Sequence, residues 1–421
     1  MKQLGILLFG LGVMAFSCDV AASSAIVTNG NDSGAGSLRA ALASGSQTVH
    51  ISSKVQLIKL EKTLTYNNPH KLHIFGAGQT IDATAIDPNT DILSISGAGD
   101  LLVTDLNLIG SFDGVNDDPT NPMGGKGIEV NISPAATDMV TAEFRNVFLT
   151  GVGHHGIHIS DCSFGDDCGS GSGGAGDGSA ASVAVKLTNV HVDKVGFGRA
   201  DADGVRVDER GEGSIYFTAK DSIFTNVGAD GVELDEGNNG DVISHVSGSQ
   251  FNRNGEYCNL VTVFEGTPCD DDGDRDVDDG FDIDEAGEGD LISRVTNSQV
   301  MYNFDEGLDF DEEDGGNIDS TVIDTQAIGN QDEAFKMSEE GAGDLIAVLR
   351  NIFTFDNNGS KEGIELEEAD NGNVDVKVVK SLMIGGDDEL LKIEQEDAGK
   401  GKVKVRKSTI GGLDLENVEQ I

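Results

Sequence analysis

Carboxylates recur at a fixed spacing through the centre of this 421-residue chain. The segment 203–209 (DGVRVDE) returns at 230–236 (DGVELDE), 279–285 (DGFDIDE) and 306–312 (EGLDFDE), with weaker copies at 333–339, 362–368 and 389–394. The glycine of each copy, or its replacement, follows the previous one by 27, 49, 27, 27, 29 and 27 residues. Carboxylate oxygens are the ligands that calcium prefers, so the repeated positions are candidates for holding cations.

A second acidic segment, 270–280 (DDDGDRDVDDG), carries aspartates at alternate positions. It resembles the Asp-x-Asp-x-Asp calcium loops of EF-hand-like and thrombospondin-type repeats, although its glycine comes one place late and no helix flanks it. The resemblance implies a calcium site in which Glu285 takes the place of the bidentate ligand. With two acids from the repeats added, the predicted metal ligands are Asp270, Asp272, Asp274, Asp276, Asp278, Asp282, Glu285 and Asp309. The alternatives are a disordered acidic loop and a merely solvated acidic face.

Side chains of different chemistry fall at one position of four successive repeats. They are Glu129, His158, Arg206 and Glu233, with Asp208 beside them. An acid, an imidazole and a guanidinium on one surface could bind a ligand or transfer protons. A polysaccharide lyase needs a strong base beside a carboxylate calcium site, and Arg206 could be that base. The alternative is simple charge alternation, in which Arg206 only neutralises Glu233.

The elements that position these residues are predicted to be short strands. Apolar and polar residues alternate within each repeat, which indicates a half-buried strand with Val205 and Val207 facing one interior. Corners rich in glycine recur with the same step, as do Asn254, Asn303, Asn330 and Asn357. Identical strands joined by short corners stack in parallel, about 4.8 Å apart. The sequence therefore predicts an all-β fold, a single-stranded right-handed parallel β-helix (solenoid) of about ten coils.

Stacked strands would align the acidic side chains in columns. We expect the column that contains Arg206 and the column that contains Asp208 to face outward. A third column, at the corner, consists of Glu209, Glu236, Glu285, Glu312, Glu339 and Glu368. Carboxylates about 4.8 Å apart in water repel by about 1 kcal/mol per pair, so several columns together favour bound cations.

The N-terminus is predicted to combine a targeting segment with a cap. Lys2, the apolar run 4–16 and the small residues 20–22 predict a signal peptide over 1–22, with lipidation at Cys18 as the alternative. Residues 26–42 (IVTNGNDSGAGSLRAAL) resemble the opening of bacterial exported right-handed β-helix proteins of the pectate-lyase-like fold superfamily. The resemblance implies a strand and helix that cap the first coil over 23–50. Residues 51–421 would then form the β-helix.

Three insertions are predicted to interrupt the coils, at 111–125, 161–178 and 255–278. The second carries Cys162 and Cys168, and the third carries Cys258 and Cys269. In an exported chain, each pair is predicted to form a local disulfide that holds a loop without a core of its own. Free thiols or pairing between the two insertions are the alternatives.

The charge balance limits the class of partner. A net charge of −46 disfavours nucleic acid and anionic membranes and favours divalent cations. Basic residues are concentrated only in the last coils, from Lys377 to Lys407. No segment after the signal peptide is apolar enough for a membrane helix, so we expect a secreted or cell-surface protein, with the periplasm as an alternative.

The sequence thus predicts an exported β-helix surface or matrix protein. It would bind calcium and a carbohydrate or cell-surface ligand without catalysis. The alternative is a polysaccharide lyase or glycoside hydrolase acting near His158 and Arg206. Of the motifs of polygalacturonase-like hydrolases, 153–156 (GHHG) matches one in part and the other two are absent at suitable positions.

Overall fold

Parallel strand pairing dominates the computed structural model of the chain. It describes residues 23–97, 99–113, 125–162, 178–196, 202–255, 278–357, 362–386 and 389–421. In these ranges there are 34 strands and one helix, and the strands form two sheets that run the length of the chain. Successive copies of the repeat pair in parallel, as in Arg206 with Glu233 and Asp282 with Asp309. The predicted parallel β-helix is confirmed.

The first sheet has twelve strands, one from each rung. Its strands are β4 Leu64–Asn67, β6 Leu93–Ser96, β8 Ile128–Asn131, β10 Ile157–Ser160, β12 Val205–Glu209, β15 Glu233–Glu236, β18 Phe281–Gly287, β21 Leu308–Asp314, β24 Phe335–Gly341, β27 Ile364–Glu368, β30 Lys392–Gln395 and β33 Asp414–Glu416. Twelve rungs exceed the ten expected, because the rungs at either end do not keep the repeated phrase and still pair in register.

The second sheet has 22 strands and wraps the other sides of the coil. Its strands are β1 Ser24–Val27, β2 Thr48–Ile51, β3 Leu57–Lys59, β5 Leu72–Asp82, β7 Leu101–Ile109, β9 Val140–Val152, β11 Val183–Val195, β13 Ile215–Lys220, β14 Ile223–Thr225, β16 Val242–Ser247, β17 Gln250–Asn252, β19 Leu291–Thr296, β20 Gln299–Met301, β22 Ile318–Ile323, β23 Gln326–Ile328, β25 Leu345–Arg350, β26 Phe353–Phe355, β28 Val374–Val379, β29 Leu382–Ile384, β31 Gly401–Arg406, β32 Thr409–Ile410 and β34 Val418–Gln420.

A bend divides this second sheet along its length. Asn and Asp residues with positive φ stack at the bend, among them Asp221 (51°), Asn297 (52°) and Asn351 (53°). Asn and Asp tolerate this left-handed conformation better than other residues with a side chain, which explains their recurrence there. From β13 onward, each rung therefore consists of three short strands around a narrow core.

The core is a continuous stack of aliphatic and aromatic side chains. Val205, Val207, Phe281 and Ile283 are fully buried, as the alternation in the sequence predicts. Phe251 stacks on Phe281 at 5.4 Å between ring centroids. Because each rung places equivalent residues above one another, apolar burial continues from coil to coil.

The recurring asparagines form a buried ladder. Asn254 Nδ2 donates to Asn303 Oδ1 (3.2 Å), and Asn303 Nδ2 donates to Asn330 Oδ1 (3.0 Å). Asn330 Nδ2 continues the ladder to Asn357 Oδ1 (2.9 Å). The amides of Asn303, Asn330 and Asn357 therefore both donate and accept, as a buried polar column requires, whereas Asn254 Oδ1 at the start of the ladder is buried without a partner.

The N-terminal coil is capped as the resemblance implies. Helix α1 spans Leu38–Ala43, and Ser37 caps it by accepting from the backbone N–H of Ala40. Leu38 and Leu42 are buried against the first coil. Within the described part of the chain, no helix is long and apolar enough to cross a membrane.

Candidate functional site

The outward columns of the twelve-stranded sheet bring together the predicted site residues. Strand register places Glu129, His158, Arg206 and Glu233 next to one another on β8, β10, β12 and β15. The same column continues through Asp282, Asp309 and Lys336. The next outward column runs from Asp208 through Asp235, Asp284 and Asp311. The stacking that the repeat predicted is therefore present.

A chain of charged contacts begins at the start of β8. Lys126 Nζ lies 2.8 Å from Glu129 Oε2 and 2.5 Å from His158 Nδ1. His158 Nε2 lies 2.5 Å from Asp208 Oδ2, and although burial and Lys126 oppose its protonation, Asp208 and Glu129 raise the pKa of His158 above its usual value. Although burial opposes ionisation of Glu129, its contacts with His158 and Lys126 lower its pKa to about 2.

Arg206 is the centre of the next group of contacts. Its Nε donates to Asp208 Oδ1 (2.8 Å) and its Nη1 to Glu233 Oε2 (2.5 Å). Its Nη2 donates to Asp235 Oδ2 (3.1 Å), which also accepts from Arg210. Burial alone would raise the pKa of Asp208, but Arg206 and His158 hold it well below its usual range.

These five candidate residues are buried, which the sequence did not predict. Arg206 is 3% exposed, His158 and Glu233 are 8% exposed, and Asp208 is fully buried. The alternative of a merely solvated face does not apply to these rungs, because their outward side chains are buried. Long charged side chains of neighbouring rungs fold onto one another and pair, so each covers the next.

The charged network is nearly saturated with internal partners. Each of the five residues is held by an ion pair or a short hydrogen bond. His154 differs, since its buried Nδ1 has no hydrogen-bond partner and burial lowers its pKa well below the usual range. Buried charges that are fully paired are typical of a structural network and do not leave a group free to abstract a proton.

Four outward carboxylates lie between the Glu233 rung and the Lys336 rung. They are Asp282, Asp284, Asp309 and Asp311. Lys336 Nζ pairs with Asp309 Oδ2 (2.9 Å) and lies 3.8 Å from Asp311 Oδ2. Asp309 Oδ1 and Asp311 Oδ1 are buried and have no hydrogen-bond partner.

Three of these carboxylates also belong to clusters with metal-ligand spacing. Oxygens of Glu233, Asp282 and Asp284 all lie within 4.8 Å of one another. A second cluster, Asp279, Glu306 and Asp309, is entirely buried and has the same spacing. Between the described residues, no ion pair involves Asp282 or Asp284, so this end of the face lacks a balancing cation.

We call the outward carboxylates Glu233, Asp282, Asp284, Asp309 and Asp311 the acidic gap. The electrostatics of the acidic gap favour a bound proton or cation. Burial, followed by neighbouring carboxylates, raises the pKa of Asp284 to about 7 and that of Asp282 well above its usual range. Burial, followed by the neighbouring Asp309, also raises the pKa of Asp311 well above its usual range. At neutral pH, a cation that replaces the protons of such carboxylates is bound favourably and stabilises the site.

The corner acids ahead of each strand are organised by the backbone. Asp203 Oδ1 accepts from the N–H of Asp230 (3.1 Å), and Asp230 Oδ1 accepts from that of Asp279 (2.6 Å). Asp279 Oδ1 accepts from the N–H of Glu306 (2.7 Å). One oxygen of each aspartate is therefore fixed by the next rung, and the other oxygen of Asp203 lies 3.0 Å from His155 Nδ1 and 3.4 Å from Arg206 Nη1.

The predicted calcium loop lies mainly outside the described residues. This holds for Asp270, Asp272, Asp274 and Asp276, whereas Asp278 starts the next described range. Glu285, expected as the bidentate ligand of that loop, is 1% exposed and faces the interior. Asp282 faces outward from the same strand, so the two residues lie on opposite sides of β18. The outward Asp282 and Asp309 each join a carboxylate cluster.

The glutamate column, expected at the outer corner, is inside the coil. Glu209, Glu236, Glu312, Glu339 and Glu368 are fully buried. Each directs Oε1 to the backbone N–H four residues ahead, as in Glu312 to Gly316 (2.6 Å) and Glu339 to Gly343 (2.8 Å). The expectation fails because the carboxylate satisfies a corner amide that would otherwise be buried without a partner.

The glutamate column ends at Gln395, whose amide provides a hydrogen-bond donor to the glutamate beside it. Gln395 Nε2 donates to Glu368 Oε2. Elsewhere in the column, Glu209 Oε2, Glu312 Oε2 and Glu339 Oε2 are buried without a donor. Burial, then neighbouring glutamates, raises the pKa of Glu285 to about 9 and that of Glu339 to about 8. The constant spacing of glutamate and a glycine four residues later was the sequence signal for this column.

The predicted disulfides stay predictions. Cys162 is buried at the end of the described range after β10. Cys168, Cys258 and Cys269 lie outside the described residues.

Fold and site together define a parallel β-helix protein with a buried charged network and an acidic gap on one sheet. No protein-family model and no curated protein matches this chain. Its fold is similar to that of a surface adhesin of Streptococcus pneumoniae, PfbA, at 10% identity and a TM-score of 0.46, over 93% of this chain and 91% of that one. It is also similar to the A-module of the Azotobacter vinelandii mannuronan C-5 epimerase AlgE6, at 11% identity and a TM-score of 0.24, over 88% and 93%. Both likenesses are too distant to assign a function, and the pectate-lyase-like resemblance is supported only as far as the parallel β-helix.

Proposed function

We propose that this protein is a non-catalytic surface or matrix β-helix that binds divalent cations of the calcium class in the acidic gap. The observation that carries the proposal is the cluster of Glu233, Asp282 and Asp284. Their oxygens lie within 4.8 Å of one another, and no ion pair with a described residue balances either aspartate. Asp309 and Asp311 would add oxygens from the next rung.

The chemistry of the donors favours calcium over transition metals. Every candidate ligand in the gap is a carboxylate, and neither histidine nor cysteine is among them. Zinc sites use mainly sulfur and nitrogen, whereas calcium takes six to eight oxygens in flexible geometry. Stacked rungs offer such oxygens in pairs without a change of backbone.

A role at the cell surface rests on the sequence. The predicted signal peptide lies outside the described residues, and the excess of acidic charge suits an environment rich in divalent cations. A carbohydrate or cell-surface ligand is part of this proposal. The lyase or hydrolase alternative has less support, since Arg206 and His158 are buried and paired.

Calcium titration of the thermal unfolding tests the proposal. We compare the wild type with Asp282→Asn/Asp284→Asn, in calcium, in magnesium and in chelator at matched ionic strength. The control is Asp138→Asn/Glu340→Gln, which removes the same charge from exposed positions.

Calcium should raise the melting temperature of the wild type and of the control, but not that of the aspartate double variant. Ligand at about 100 times its Kd stabilises by about 2.7 kcal/mol. At about 2 cal/mol/K per residue, that corresponds to about 3 °C for a chain of this length. If calcium raises the melting temperature of all three proteins equally, or of none of them, the acidic gap is not the cation site.

A further inference from the structure

One face of the second sheet has a charge opposite to that of the protein. We define the cationic face as the outward residues of eight successive strand segments: 183–188 of β11, and β13, β16, β19, β22, β25, β28 and β31. Its charged residues are Lys186, Lys220, Arg294, Arg350, Lys377, Lys402, Lys404 and Arg406, against Asp319 and Asp375. Eight basic and two acidic residues give six net positive charges on a chain whose net charge is −46.

Most of these basic side chains are exposed and form no ion pair with a described residue, although register places Lys186 beside Glu143 of β9. Asp375 pairs with Lys377 (3.6 Å) and with Lys402 (3.1 Å). Among the described residues, no ion pair involves the other six basic side chains of the face. Lys404 is half-buried, and the rest are exposed. The acidic surface of the twelve-stranded sheet lies across the core, so the positive charge is not neutralised internally.

Most residues between the cations are apolar or carry hydroxyl groups, and the exceptions are the two aspartates and the exposed His245. Thr188, Thr218, Ser247, Thr296 and Thr321 lie on the same face. Ile243 and Ile292 are neighbours in one column and are half-buried, and Asp319 separates them from the half-buried Ile346. Register places Lys377 beside Lys404, so the charges also line up along the helix axis. Seven steps of about 4.8 Å make the face about 34 Å long.

We propose that the cationic face binds a linear acidic polysaccharide, lying along the axis of the β-helix. Its carboxylate or sulfate groups would meet the lysines and arginines, its hydroxyl groups would meet the Ser and Thr side chains, and its C–H surfaces would pack on the isoleucines. This identifies the carbohydrate of the proposed function, on which it rests, but it requires no bound calcium.

Long-range repulsion by the acidic side does not prevent this contact. At physiological ionic strength the Debye length is about 8 Å, so a ligand at the face responds mainly to the charges beneath it. Other polyanions fit less well. Tyr216 is the one aromatic residue on the face, so bases of a nucleic acid would find no series of stacking platforms. Asp319 and Asp375 interrupt the column of isoleucines, so it does not form the continuous apolar surface that inserts into a membrane.

Binding assays on the full chain test the inference. The probes are polygalacturonate and dextran sulfate, with neutral dextran, double-stranded DNA and anionic phosphatidylglycerol vesicles for comparison, all in chelator. The variant is Arg350→Gln/Lys377→Gln/Lys404→Gln/Arg406→Gln. The control, Lys54→Gln/Lys59→Gln/Lys62→Gln/Lys71→Gln, removes equal charge from exposed positions near the N-terminus. Thermal unfolding verifies that both variants are folded.

The wild type should bind one of the acidic polysaccharides and not neutral dextran, and the affinity should fall as salt rises. The face variant should lose about tenfold in affinity, or about 1.4 kcal/mol, while the control stays within about twofold. The inference is overturned by equal losses in both variants, by binding of neutral dextran, by binding only to DNA or vesicles, or by no binding at all. Chelator is present in all of these binding assays, so they test the polysaccharide inference without calcium. The calcium proposal is tested separately, by the calcium titration of thermal unfolding.

Discussion

Replacement of one buried glutamate by glutamine should stabilise this protein at alkaline pH. Glu339 is fully buried on β24, its Oε1 accepts from the N–H of Gly343 (2.8 Å), and its Oε2 has no donor. At the end of the same column, Gln395 donates to Glu368. In Glu339→Gln, an amide should supply the missing donor without taking up a proton.

The sign and size of the effect follow from linkage. Burial, then Glu312 and Glu368, raises the pKa of Glu339 from 4.5 to about 8. The native state therefore holds a proton that the unfolded state releases, so stability is greatest below pH 4.5 and declines until pH 8. The full shift corresponds to about 5 kcal/mol. Proton sharing along the column and solvent screening reduce this, and we expect about 2 kcal/mol.

The assay is thermal unfolding between pH 5 and 9 in chelator, for the wild type, Glu339→Gln and the exposed control Glu340→Gln. The melting temperature of the wild type should fall with rising pH. Glu339→Gln should match it near pH 5 and exceed it by about 2 °C at pH 8 and above. If the Glu339→Gln protein is less stable than the wild type at pH 8, the glutamates of this column do not share protons as inferred.

Three further outcomes are expected. Arg206→Ala should destabilise by about 3–5 kcal/mol, measured by denaturant unfolding, because it leaves buried carboxylates unpaired; a loss under about 1 kcal/mol would contradict the ion pairs described. Calcium affinity, measured by calorimetry, should weaken as pH falls below about 7, since protons compete at Asp284; an affinity that does not change between pH 8 and pH 5.5 would exclude this residue as a ligand. Peptide mass spectrometry without reduction should show Cys162–Cys168 and Cys258–Cys269, and a Cys162–Cys258 link would disprove the predicted loop pairing.

Much of the fold could be predicted because the relevant signals are local and periodic. The step of 27 residues, the alternation around Val205 and Val207 and the recurring asparagines each depend on one rung and its copy. Parallel stacking then follows, because equal strands with short corners have no other arrangement. The same periodicity correctly placed Arg206 beside Glu233.

Burial of the polar columns was not predictable in the same way. Glu209 has the same parity as Val207 and faces the interior, whereas its column was expected at the corner. Burial of a carboxylate is costly unless it is paired or neutral. In the structure the N–H of Gly213 donates to Glu209 Oε1 (3.3 Å), and burial, followed by the neighbouring carboxyl groups, raises the pKa of Glu209 to about 10. Such partners become visible only when the rungs are superposed.

From the sequence alone follow the repeat, the inward direction of the apolar strand residues, the outward direction of the Arg206 and Asp208 columns, and the stacking of like residues along the helix. Tertiary structure alone decided which outward charges are buried and paired, which carboxylates lack a balancing cation, and that a cationic face lies across the core from the acidic gap. The physical reason is that alternation is a property of one strand, whereas ion pairing, desolvation and net surface charge depend on side chains that meet across several rungs and three sides of the coil.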